Sequence, residues 1–584
     1  MPAPNLRYIR TLLTRERPKA YPLKTTWLMD RTRRRAVLKA FYKYLPESIV
    51  DEVKNQRRSE YSDESLTEDF FKNEQPEINL NRDFHYRKAL RVMTKLFKPK
   101  RNYKPVAFPD LRYYPWNLRT SAEAPYTHSD FWNSYLRNKM FRKEILDAAP
   151  SFHNLFDELF IKNRNLIHMI KDKHSAFFDS HGIPKPYYWV TLHARSHVVG
   201  PDEPDKIRAV FGVPKLLLFV ENMFIWPMQA DLLNRDPEHS PMMWGCEISR
   251  GGWKRLRRLI HKKTGSKFRT VLSADWSQFD RRALFSIIDD THDIWHSFYD
   301  WDGSYAPTTY YPDAHTDPQR LQNLWDWFTH NVKYYPIALP NGDLYQWTRN
   351  GIASGYQETQ LMDSWVNGIM LLTSLSELGV DIEHNHFFVK LQGDDSIACF
   401  SEGFFRIYGK QRFLSKLAEI ALKRFNAKLS VDKSDVSDRL DGTYVLGYYN
   451  TSGLAWRTDV DLLSHLLFPE RSQDLAATAA TAVGIALASM GCSRVVYDIC
   501  KDLFDFLTID LGVVAKPDPT MMRQILHTHG GIYGFPISEA GTIMDFPSFD
   551  TCYFQNYVLD GRSETERERT WPTDPERSGG FAFL

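Results

Sequence analysis

Cysteine is scarce in this chain: Cys246, Cys399, Cys492, Cys500 and Cys552 are spread thinly over 584 residues. The number is odd and no pair has CxxC spacing, which excludes a zinc ribbon and a secreted disulfide framework and fits a reducing, intracellular setting. The N-terminus, MPAPNLRYIRTLLTRERPK, has no apolar core, so no secretory signal is expected there. Long apolar runs are missing too. The longest uncharged stretch, Leu475 to Ser493, is rich in Ala, Thr, Gly and Ser, and it reads as a closely packed buried helix, with a membrane helix a distant second. No repeat at solenoid periods and no low-complexity tract is present, which excludes repeat scaffolds. Nor does one sign of charge dominate: 75 Lys and Arg face 72 Asp and Glu, so any polyanion binding must come from how the charges are distributed.

What is present is a chain long enough for about four domain-sized units or one multi-lobed enzyme. Aromatic residues make up 14% of it, a supply of rings that permits stacking on bases. Two segments concentrate positive charge. The first forty-three residues carry twelve Lys or Arg against Glu16 and Asp30, and Gly251 to Arg269 carries eight cations, among them Lys254, Arg255, Lys262 and Lys263, with no acid. Both are candidate phosphate-contacting surfaces; the ordinary alternative is a solvated face.

Three blocks carry chemistry. The apolar run TVLSADWSQFD ends a strand at Asp275 and reaches Asp280 five residues later. A Gly-rich loop containing Ser354 and Gly355 opens a long helix in which Thr359, Asp363 and Asn367 fall at i, i+4 and i+8 on one face. HFFVKLQGDDSIACF reads as a tight hairpin with Asp394 and Asp395 at its turn. Bare carboxylates gathered at strand tips repel one another unless a cation is bound, and hard oxygen ligands from two strands suit divalent metals of the kind that drive phosphoryl transfer.

The order DWSQFD, SGYQETQLMDSWVN, GDDS resembles motifs A, B and C of viral RNA-dependent RNA polymerases. KIRAVFGVPK resembles their basic motif F, and VLGYYNTSGLAWRTDVDLLSHLLFPER resembles motif E and the entry to the thumb. The similarity is nearest to partitivirus polymerases, with picobirnaviruses next, and runs from about Arg195 to Arg471. Ala353 stands where many relatives have Pro, and Asp363 stands where picornavirus-like enzymes have Asn.

The resemblance implies an α+β right-hand polymerase with an antiparallel palm sheet and a helical thumb. Its expected divisions are a basic arm and fingers extension over 1–100, fingers over 101–265, palm over 266–299, a fingers insertion over 300–345, palm over 346–455, and thumb with C-terminal segment over 456–584. It implies Asp275 and Asp394, with Asp395 beside them, as ligands of two Mg²⁺ or Mn²⁺ ions. Asp280, Thr359, Asp363 and Asn367 would read the ribose, Ser354 and Gly355 would guide template and substrate, and Lys206, Arg208 and Arg195 would hold the triphosphate. Alignment on LKRFNAKLS selects Lys423 as the proton donor to pyrophosphate, with Lys428 and Lys433 as alternatives. The implied activity is copying and transcription of a double-stranded RNA viral genome. Template and product RNA, ribonucleoside triphosphates and capsid protein would be the partners, without a membrane, in the virion interior or host cytoplasm. A reverse transcriptase shares the palm, but the Gly before Asp394 and the polar set Asp280, Thr359, Asp363 argue against it. A silent RNA-binding or capsid-tethering protein would not need the full set of acids.

Overall fold

A computed structural model describes residues 4–17, 27–60, 62–124, 126–127, 129–470, 472–517, 541–562, 564–576 and 578–584. Lys19 and Lys24 of the basic arm, and Arg471, lie outside the described residues. The strands used below are β1 (Leu6–Thr11), β2 (Val190–Ser196), β3 (Ile207–Gly212), β4 (Thr270–Ala274), β5 (Ile337–Ala338), β6 (Asp343–Trp347), β7 (Phe388–Gln392), β8 (Asp395–Phe400) and β9 (Asp435–Ser437). Among the helices are α1 (Trp27–Tyr44), α2 (Glu47–Asn55), α3 (Phe84–Phe97), α4 (Lys215–Asn234), α5 (Gly252–Thr264), α6 (Phe285–His296), α7 (Pro318–Tyr334), α8 (Thr359–Glu377), α9 (Lys410–Phe425), α10 (Asp459–Leu467), α11 (Leu475–Ala488) and α12 (Arg494–Asp505). The architecture is mixed helix and sheet.

At the centre lies an antiparallel sheet in the order β7-β8-β4-β9. Alternation along its strands gives it two apolar faces. Val271, Ile397 and Cys399 pack with Trp253, Leu256 and Ile260 of α5, while Leu272, Ala398 and Leu391 join the main core with α8 and α9. Because both faces are covered, only the strand ends are left to present polar side chains to solvent.

A second sheet has the order β1-β6-β5-β2-β3 and is antiparallel except for the parallel pair β2 and β5. It unites the N-terminal segment, the basic stretch around Arg208 and the end of the 300–345 segment. The 300–345 segment, expected as a fingers insertion, contains helix α7, strand β5 and the start of β6. Asn5 is fully buried: its side-chain amide donates to the Asn73 and Asn350 carbonyls, and its side-chain oxygen accepts from the backbone N–H groups of Arg349 and Asn350. The chain start thus braces the turn that leads into the Ser354-Gly355 loop.

The C-terminal helices build their own core, and α1 and α2 belong to it, with Val37, Phe41, Val50 and Val53 packed among Leu463, Leu467, Val483 and Leu503. The basic arm is therefore not a free arm in its described part. Arg33 is 2% exposed and donates to the carbonyls of Leu466 and Leu467 at 3.1 and 2.8 Å, where a helix end leaves acceptors unpaired and favours a cation. The uncharged run expected as a buried helix is α11, with Ala479, Ala480, Ala482 and Ala486 fully buried. Among the described residues, one helix is long and apolar enough to cross a membrane, α4, and it lies inside the main core.

Candidate active site

The β7–β8 register pairs Gln392 with Asp395, leaving Gly393 and Asp394 as a two-residue turn. Gly393 has φ +62°, the conformation that the first turn position of a tight hairpin requires and that glycine adopts without steric cost. On the other side β8 pairs with β4, Ser396 opposite Ala274. One step further along both strands stand Asp395 and Asp275, on the face shared with Ile397 and Ser273. Asp275 is fixed through its backbone: its N–H donates to Ser434 Oγ at 3.0 Å and its carbonyl accepts from the Ser430 N–H at 2.8 Å.

The electrostatics mark the spot. Burial, then repulsion from Asp394 and Asp275, pushes the Asp395 carboxyl up to about 7. Burial and Asp394 raise Asp280 to about 6, opposed by Arg208 and Arg281; its side chain reaches solvent, but from a recess crowded by protein. Asp363 is driven well above the usual carboxylate range by burial and by Asp280, Asp394 and Glu358. Asp275 is raised by burial and Asp394, while Lys433, Lys206 and Arg208 pull the other way. Five acids therefore gather at a single cleft whose opposing charges come from β3, the chain just before it, the turn at 430–434 and Arg281.

The α8 face is more differentiated than its spacing suggested. Asn367 is fully buried; its side-chain amide donates to the carbonyls of Gly393 and Asp394 at 2.9 Å and its oxygen accepts from Trp276 Nε1 at 2.8 Å. It clamps the Gly-Asp-Asp turn to the DWSQFD segment and does not face the recess as a ribose reader. Ser364, which the sequence reading missed, accepts the Gly393 N–H at 2.8 Å and donates to the Gln360 carbonyl. Thr359 donates to the Ala353 carbonyl at 2.6 Å, retaining acceptor capacity. Asp363 Oδ1 is buried with no protein hydrogen bond, an atom left for something else to satisfy. Ser354 is exposed beside Gly355, where an added Cβ would come within 2.2 Å of the Phe211 carbonyl of β3. The loop thus lies directly on the basic strand, a contact only glycine allows.

The viral RNA-dependent RNA polymerase family profile matches residues 185–448, the span that contains this cleft. The RNA-directed RNA polymerase of White clover cryptic virus 1 is 29% identical, covering 91% of this chain and 90% of its own length. That of Atkinsonella hypoxylon virus is 27% identical, covering 81% and 74%. The chain is a viral RNA-directed RNA polymerase.

Polymerases of this family use divalent metal ions. Among the described residues of this polymerase, no three His, Cys, Asp or Glu side chains close into one ligand set. The donor chemistry nonetheless fits such an ion: hard carboxylates from two strand ends, with Asp275 and Asp395 made harder to ionise by burial and by their neighbours, form a negative site that a divalent cation would relieve.

Several expected residues are placed elsewhere. Arg195 pairs through Nε and Nη2 with the two carboxylate oxygens of Glu470 at 2.9 Å and lines a 240 Å³ cavity with Arg58, His197 and His465; it is the cross-strand neighbour of Arg208 but is not among the charges acting on the acids. Lys423 lies exposed in the last turn of α9, whereas Lys433, also exposed, acts with Lys206 on Asp275. In the basic strip, Arg255 is buried and donates to the Gly245 carbonyl at 2.7 Å and to the Leu559 carbonyl, so it joins the C-terminal segment to α5 and is not available to phosphates. Lys254 sits 3.3 Å from the Tyr557 ring centroid, Lys262 pairs with Glu238, and Lys263 is exposed.

Proposed function

We propose that the polymerase copies and transcribes a double-stranded RNA genome by template-directed nucleotidyl transfer assisted by two Mg²⁺ or Mn²⁺ ions. The observation that carries this reading is the convergence of Asp275, Asp394 and Asp395 at adjacent strand ends, opposite Lys206, Arg208 and Lys433. Asp275 and Asp394 would be the principal ligands and Asp395 a lesser one. When bound, the ions supply charge neutralisation and activation of a hydroxyl.

The chain's own groups do the rest. Lys206 and Arg208 hold the triphosphate against the cleft, and Asp280, Asp363 and Thr359 take the 2′-hydroxyl and orient the ribose. The RNA 3′-oxygen forms a bond to the α-phosphorus as it loses its proton to solvent, and the bridging bond to the β-phosphate breaks. Lys433 then gives a proton to the departing pyrophosphate oxygen. In this reading the central sheet with α8 and α9 is the palm, the second sheet with α4 belongs to the fingers, and α10 to α12 form the thumb, joined by α1 and α2 from the N-terminus. Work inside a capsid, in contact with capsid protein, or in the host cytoplasm suits a genome kept double-stranded.

The test is unprimed synthesis: purified protein, an RNA template, four ribonucleoside triphosphates and Mg²⁺ or Mn²⁺, with products sized. Template-length RNA from the parent and none from Asp394→Ala is the expected result; equal product from both would end the assignment.

A further inference from the structure

Behind the loop that opens α8 lies a set of buried side chains that the reaction above does not use. Glu221, in the middle of α4, is fully buried, and its carboxylate accepts the backbone N–H groups of Gln357 and Glu358 at 3.1 and 3.4 Å. Helix α8 has no side-chain cap of its own at this end, so an acid from another helix receives donors that a helix start leaves unpaired. Glu358, 1% exposed, bonds to His292 Nε2 at 2.9 and 3.2 Å. His292 is 4% exposed on α6, the helix that follows the DWSQFD segment, and its ring is wedged edge-on against Trp295, Trp325 and Phe328. Gln229 of α4 donates to the Gln357 carbonyl at 3.1 Å, and Tyr114 donates to Gln357 Oε1 at 3.2 Å.

Two buried acids and a histidine are a costly way to fill a core, because packed apolar residues of similar volume would be at least as stable. Hydrogen-bonded polar groups in a low-dielectric interior do, however, fix geometry more tightly than apolar contacts. Here the geometry they fix is that of residues 353–358 and the first turn of α8. Pinned on one side by α4 and α6, and on the other by the Gly355 approach to β3, the loop has little freedom to shift Thr359 or Asp363.

We propose that Glu221, Glu358 and His292 form a positioning clamp that holds the Ser354–Glu358 loop and the start of α8, and that sets how closely Thr359 and Asp363 fit the incoming ribose. The clamp touches neither substrate nor metal; its effect on selectivity rests on the ribose reading given above.

Two measurements on the full chain test it, with Glu221→Gln, His292→Leu and the conservative His292→Gln. The first is hydrogen exchange. Peptides covering 353–360 exchange about tenfold faster in Glu221→Gln and His292→Leu, as expected when a bond to a buried ionisable group is lost, while the β7–β8 hairpin is unchanged and His292→Gln is close to the parent. Unchanged exchange at 353–360, or uniform loosening with a matching fall in melting temperature, overturns the clamp. The second is nucleotide kinetics. The two disruptive variants raise the KM for a ribonucleotide and lower the ribo-to-deoxy ratio of kcat/KM by about tenfold, with kcat nearly kept and restored discrimination in His292→Gln. Equal losses for both sugars overturn the selectivity role. Asp363→Ala run in parallel separates the two failures: if it leaves the ratio unchanged, the ribose reading is at fault, and the exchange experiment still decides the clamp.

Discussion

Asn367 joins three segments that lie far apart in sequence: its amide holds the carbonyl of Asp394 at 2.9 Å while its side-chain oxygen holds Trp276 Nε1 at 2.8 Å. The two strand ends that carry the site's carboxylates are therefore locked to one side chain on α8. Asn367→Ala leaves the buried Trp276 Nε1 and the part-buried carbonyls of Gly393, Asp394 and Asp395 without their partner and should lower stability by about 1–3 kcal/mol, the cost of leaving such polar groups unpaired. It should also depress kcat for ribonucleotides and deoxyribonucleotides alike, since the turn moves as a whole. A change in sugar preference in this variant, measured by single-nucleotide extension, would show that Asn367 reads the substrate after all.

Asp275→Ala and Asp394→Ala should each abolish nucleotide addition, by about a thousandfold or more, the scale of losing several kcal/mol of charge stabilisation. Folding should survive, because each change removes one member of a mutually repelling set. Thermal melting without metal at or above the parent value, together with lost incorporation, is the expected pair of results; near-normal incorporation would refute the site.

Lys433→Ala should lower kcat by at least about a hundredfold, in the range of general acid contributions, and Lys423→Ala should change it little. The contrast separates Lys433, whose charge acts on Asp275, from Lys423 in the last turn of α9. Comparable activity in both variants would leave the leaving group protonated by water.

Much of this site was legible in the sequence because its signals are local. Gly-Asp-Asp between two β-prone runs specifies a hairpin through turn chemistry, and the Ala-rich run before Ser493 specifies a close-packed helix through side-chain size. What was not legible depends on contacts across hundreds of residues. Arg195 looked like a triphosphate ligand until the fold set it against Glu470. Arg255 looked like a solvent-facing member of a basic strip, but the α5 face it occupies meets the C-terminal segment. Lys423 and Lys433 are separated by a helix end, the two-residue strand Lys428–Leu429 and a turn, a path that no spacing argument resolves. Ser364 and Asn367 fall beside Asp363 on α8, yet only the placement of the hairpin against that helix shows that they hold the turn while Asp363 Oδ1 stays unpaired.

Metal-free stability should fall as pH rises from the ordinary carboxylate range to about 7. Asp280 and Asp395 have folded pKa values of about 6 and about 7, both raised, so the native state holds protons that the unfolded state has released. Their contribution is complete below the unfolded carboxylate pKa and is lost as pH passes through 6 to 7. Melting curves in chelator across that window should shift downward, Asp395→Asn should flatten the shift, and added Mg²⁺ should offset it near pH 7. A melting temperature that rises across the same window would contradict the sign.

The last expectation concerns the choice of sugar. A 2′-hydroxyl can donate to a carboxylate and accept from a hydroxyl, and Asp363 Oδ1, buried without a partner, is the kind of atom that such a donor would satisfy. A deoxynucleotide leaves it unpaired, and sites built around a substrate hydroxyl discriminate strongly against analogues that lack it. Asp363→Ala and Asp280→Ala should therefore reduce ribonucleotide kcat/KM far more than deoxyribonucleotide kcat/KM, shrinking the ratio by at least about tenfold, whereas a folding defect depresses both equally. Because Asp280 lies on the short helix Phe279–Arg282 that follows β4 and Asp363 on α8, the double variant should lose little more than the worse single one if both serve the same hydroxyl. Fully additive losses would mean that the two carboxylates act on different atoms of the nucleotide, and an unchanged ratio in all three variants would place sugar recognition outside this recess.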